Sequence, residues 1–101
     1  MYRHLRLCSN RGGYEALPES PAPVDLERAR RTLEKEGIPT VDARVMLIVS
    51  LDPEVTVGRS GRLLFKTQDP RVAERAFERL RTLLGLPAMA AEETAPRSPR
   101  R

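Results

Sequence analysis

Residues 54–70, EVTVGRSGRLLFKTQDP, constrain the fold more than any other part of this chain. Val55 and Val57 alternate with polar neighbours, the period of a strand with one face buried. Ser60-Gly61 follows, and glycine takes the positive φ that a tight hairpin turn demands. Residues 62–67, RLLFKT, then return as a second strand. Asp69-Pro70 opens a helix. The carboxylate accepts first-turn amide hydrogens, and proline at the first helical position has no amide hydrogen to lose. The helix is predicted to run to about Leu84, with Gly85 as its stop. Val72, Ala73, Ala76, Phe77, Leu80, Leu83 and Leu84 make its apolar stripe.

The same signals place the other elements. Asp25 caps a first helix over 25–37, in which Leu26, Ala29 and Leu33 form the buried stripe and Glu27 and Arg31 pair at i,i+4 on the wet side. Gly37 ends it and Pro39 prevents its resumption. Residues 41–51, VDARVMLIVSL, are nearly all apolar and rich in β-branched side chains, which predicts one continuous central strand broken by Asp52-Pro53. Residues 17–24 hold three prolines and read as a linker. Residues 1–23 read as irregular, with a strand around the alternating Leu5 and Leu7. Residues 87–101 lack apolar periodicity and read as a disordered, solvated tail after a single domain over 1–86.

The predicted order is (β)-α-β-β-β-α. Antiparallel hairpins with two amphipathic helices imply an α+β two-layer sandwich, both helices on one face of the sheet. Strand residues alternate between faces. Val45, Leu47, Val49, Val55, Val57, Leu63 and Phe65 are expected beneath the helices. Arg44, Met46, Ile48, Ser50, Thr56, Arg62, Leu64 and Lys66 are expected on the other, uncovered face. Met46, Ile48 and Leu64 would form an apolar patch there, rimmed by Arg44, Arg62 and Lys66, and a monomer seldom leaves such a patch bare. Three readings follow. The first is a self-interface, either a homodimer packed sheet to sheet or the N-terminal segment folded over the patch. The second is a surface for another protein. The third, less favoured, is a nucleic-acid platform, although none of the four aromatic residues is expected on that face.

No catalytic constellation is visible, and the reading is of a non-enzymatic protein with no cofactor and no metal. His4 and Cys8 are the only His and Cys. A helix would place them on one face as a thiolate–imidazole pair, whereas a strand would separate them by about 13 Å. The favoured reading makes Cys8 a small buried filler and His4 a surface residue, with Cys8 kept as a candidate redox thiol able to form an intermolecular disulfide only in a hot-living cell or an oxidising compartment. One Cys and one His fall short of a zinc site. Arg11-Gly12-Gly13 reads as a turn. The net charge of +4 is mild, and nucleic-acid binding is not demanded by it. Arginine outnumbers lysine 16 to 2, which fits a GC-rich genome or a thermophile. No apolar run reaches the roughly 18 residues that cross a bilayer, and the basic N-terminus lacks a signal-peptide core, so a cytoplasmic protein without membrane contact is expected.

The order of features resembles the C-terminal extension of ThiF/MoeB/HesA-type adenylyltransferases. Leu7, Cys8 and Asn10 match its LCGRN-like start, in a run one residue shorter. Val24, Asp25 and Leu26 match the opening of its helix. Glu54, Thr56, Val57, Gly61, Arg62, Thr67, Asp69, Pro70 and Ala73 match its hairpin-to-helix unit, with Gly58-Arg59 standing where the family has an aromatic residue and proline. The family activates ubiquitin-like sulfur carriers with ATP through a catalytic domain whose motifs this chain does not carry. The resemblance therefore implies a stand-alone accessory module that binds a protein of sulfur-carrier metabolism, and no catalytic role carries over.

Overall fold

The computed structural model describes residues 1–3, 5–8, 12–20 and 22–88. His4, residues 89–101 of the expected tail and the side chain of Cys8 lie outside the described residues. The elements are β1 (Arg6–Cys8), β2 (Gly13–Ala16), α1 (Leu26–Lys35), β3 (Thr40–Asp42), β4 (Met46–Val49), β5 (Val55–Gly58), β6 (Leu63–Phe65) and α2 (Pro70–Leu84). The strands form one antiparallel sheet in the order β1-β2-β6-β5-β4-β3. The α+β class and the two-layer arrangement are as the sequence predicts; the order of elements is corrected in two places.

The first correction is at the N-terminus. Residues read as irregular with one strand form a β-hairpin, and β2 pairs directly with β6 through Tyr14↔Phe65, Glu15↔Leu64 and Ala16↔Leu63. The segment thus extends the sheet sideways and does not fold over its open face. Gly13 makes this pairing possible, because a Cβ there would stand 2.2 Å from the Phe65 carbonyl oxygen.

The second correction is inside the expected strand 41–51. It breaks into β3 and β4 around Ala43-Arg44-Val45. The Asp42 carboxylate accepts the Arg44 amide at 2.8 Å, the Ala43 carbonyl accepts the Val45 amide at 2.9 Å, and Arg44 takes φ 71°. A bond between residues two apart is a γ-turn, and its positive-φ centre is costly for any residue but glycine. The turn lifts Val45 out of the strand alternation. It is 58% exposed, where the alternation predicts it in the core.

The caps agree with the sequence reading. Asp25 Oδ1 accepts the Arg28 amide at 3.1 Å, Asp69 Oδ1 accepts the Arg71 amide at 2.9 Å, and α2 ends at Gly85 in the left-handed conformation. Leu47, Val49, Val55, Val57, Leu63 and Phe65 are buried against Ala29 and Leu33 of α1 and Ala73, Ala76, Phe77 and Leu80 of α2. Both helices therefore share one face of the sheet. Tyr2 completes this core. Its ring meets Phe77 edge-on at 5.4 Å, and its hydroxyl donates to the Gly61 carbonyl at 2.6 Å. Burial pushes the phenol pKa up from its ordinary value. No helix among the described residues is long and apolar enough to cross a membrane.

A candidate interaction face

Antiparallel pairing sets the uncovered face residue by residue. One row runs Arg6–Glu15–Leu64–Thr56–Ile48–Val41 across all six strands. Directly paired residues share a face, so these six side chains lie together. The adjacent row adds Met46 and Gly58. Between them lies a shallow groove of about 550 Å³, with Met46, Ile48, Thr56 and Leu64 in its lining.

Six of the eight residues expected on the face, Met46, Ile48, Thr56, Arg62, Leu64 and Lys66, line that groove; Ser50 does not. Nor does Arg44. It occupies the β3–β4 turn and borders a smaller cleft with Asp25, Glu27, Asp42 and Arg59. Leu64 is corrected as well, being only 7% exposed, so the apolar surface open to a partner comes from half-buried Met46 and Ile48 and from exposed Val41 and Val45. Leu64 belongs to a central strand, and the neighbouring Glu15 and Arg62 side chains pair beside it.

The charged rim is mostly internally matched. Glu15 is itself buried, and it accepts a hydrogen bond from Arg62 Nε and another from Arg6 Nη2 at 3.4 Å. Lys66 Nζ stands 3.9 Å from Glu54. Arg59, in the β5–β6 turn, differs. Its Nη2 donates to the Arg44 carbonyl at 3.0 Å, and no described carboxylate lies within the 4.0 Å of an ion pair. Alternation cannot assign a turn residue to a face, so Arg59 was invisible to the sequence reading. Glu15 was missed because β2 was not recognised, and Val41 because a continuous strand over 41–51 sets it in step with Leu47 and Val49, whereas the turn at Arg44 restarts the alternation and pairs Val41 with Ile48.

Elsewhere, a cleft of about 730 Å³ lies between the start of α1 and the end of α2, with Asp25 and Arg28 its only charged lining residues. Asp25 is already engaged as the α1 cap. On the outer side of α1 the Arg30 guanidinium bonds Glu27 and holds that carboxyl below its ordinary pKa. Among the described residues no group of three or more His, Cys, Asp or Glu side chains could hold a metal ion. Comparison with protein-family models, with curated proteins and with solved structures found no match for this chain.

Proposed function

We propose that this chain is a non-catalytic protein-docking module whose working surface is the uncovered sheet face. The observation that supports the reading is the placement of both helices on one side, which leaves Val41, Val45, Met46 and Ile48 accessible beside a basic rim. An apolar centre with arginine at its margin is the composition of protein interfaces. Two occupants fit this reading, a second copy of the chain and a different protein. An accessory role in sulfur-carrier metabolism rests on the resemblance of its motifs alone.

The alternative is nucleic-acid binding across Arg44, Arg59, Arg62 and Lys66. The two differ in salt response, because phosphate contacts weaken steeply with salt and an apolar interface does not. Sedimentation equilibrium at low and high salt, with and without a single-stranded DNA oligonucleotide, separates them. A dimer that ignores salt and is lost in Ile48→Glu would establish a second copy as the occupant. DNA binding that collapses with salt would overturn the docking reading. A monomer that ignores DNA directs the search to a different protein.

A further inference from the structure

We infer that the groove takes a polypeptide segment carrying an aliphatic side chain and a carboxylate about 7 Å apart, the distance between alternate residues of a strand. This rests on the docking reading and names the chemistry of the partner. The Ile48–Thr56 row supplies the aliphatic floor, and the Met46–Gly58 row, two residues along, ends beside Arg59. The other cations of the groove are matched within the chain: Arg62 is committed to Glu15, and Lys66 lies near Glu54. Arg59 is held in place through the Arg44 carbonyl and has guanidinium donors to spare. The carboxylates of the neighbouring cleft are engaged elsewhere: Asp25 and Asp42 accept backbone amides, and Glu27 bonds Arg30.

Charge complementarity also decides among occupants. A two-fold pairing of this face with itself offers Arg59 no uncommitted carboxylate, because Glu15 and Glu54 are already paired within the chain, so a second copy leaves the guanidinium unanswered. Nucleic acid is disfavoured by the floor. Tyr2, Phe65 and Phe77 are packed in the core and half-buried Tyr14 pairs beside Phe65, so no aromatic ring faces the groove for a base to stack on. An acidic–apolar segment meets both the floor and the free guanidinium.

The test is a selection of short random peptides displayed on phage against the folded, immobilised chain. Synthetic copies of the enriched peptides are then titrated against variants whose fold is verified by circular dichroism. The expected winners carry Asp or Glu two residues from an aliphatic residue. Their binding should be lost in Ile48→Lys, weakened roughly tenfold in Arg59→Glu and less in Arg59→Gln. It should not change in Arg79→Glu, on the exposed side of α2. Peptides that need Ile48 but show no acidic bias, or ignore Arg59→Glu, would overturn this inference and leave the docking face standing. No enrichment at all would overturn this inference alone, and peptides indifferent to Ile48→Lys would overturn both.

Discussion

Tyr2 offers the sharpest test of the packing, because one side chain joins the aromatic core to a turn remote in sequence. Here it is fully buried between Phe77 and the β5–β6 turn. Tyr2→Phe keeps the ring and removes the donor to the Gly61 carbonyl. A buried acceptor left without its partner costs about 1–3 kcal/mol. At roughly 4–8 °C per kcal/mol for a domain of this size, the melting temperature should fall by at least about 4 °C. Tyr2→Ala also removes the ring and should cost about 3–5 kcal/mol, a large share of a small domain's stability. In a double-mutant cycle with Phe77→Leu, the edge-on contact should appear as a coupling of about 0.5–1.5 kcal/mol. The pH dependence has a definite sign. Burial raises the folded phenol above its ordinary value of 10.0, so the protonated form is the one the fold favours. That contribution is complete below pH 10.0 and is lost as pH rises through the folded value. The gap between Tyr2 and Tyr2→Phe should therefore narrow in strong alkali. Thermal and urea unfolding followed by circular dichroism measure all of these. A Tyr2→Ala chain that melts with the wild type would show that the N-terminus does not belong to the core.

Two further substitutions test the points at which the fold departs from simple alternation. Gly13→Ala would drive its Cβ into the Phe65 carbonyl, a backbone group that cannot swing aside. It should cost about 1–3 kcal/mol and release β1 and β2 first in hydrogen exchange; undiminished protection there would refute the β2–β6 pairing. Arg44→Gly removes a left-handed conformation that costs an L-residue about 1–2 kcal/mol, offset by about 0.5–1 kcal/mol of added unfolded-state freedom. The urea midpoint should stay level or rise by the equivalent of up to about 1.5 kcal/mol. A clear loss would mean that the Arg44 side chain itself holds the β3–β4 turn.

The elements that sequence reading placed well share a physical property: their signals are local. Asp69-Pro70 and Asp25 cap helices because a side chain meets amides two or three residues on. Val55 and Val57 show their common face by spacing alone, and Gly61 marks the turn after β5 because its φ of 100° excludes other residues at low cost. The floor residues Met46 and Ile48 followed from the same parity. Where the reading failed, the deciding partner was remote or the signal was weak. Nothing in Gly13–Ala16 announces a strand, since its partner β6 lies beyond α1 and three intervening strands in the sequence. The turn at Arg44 contains no Gly, Pro or Asn, and its one signal is the Asp42 carboxylate reaching the next amide but one.

The sequence by itself therefore determined the two amphipathic helices, the β5–β6 hairpin and the existence of a face without helices, because periodicity and capping act over a few residues. Only the tertiary structure decided how wide the sheet is, which apolar residues on that face remain open and which cation beside it has no described carboxylate within ion-pair distance. Leu64 is closed off and Glu15 is buried because chain segments distant in sequence arrive beside them, and Arg62 is neutralised by the same arrival. Arg59 keeps its charge available because no described carboxylate lies within ion-pair distance. Burial and charge matching are properties of three-dimensional neighbours, and alternation along a strand carries no record of them.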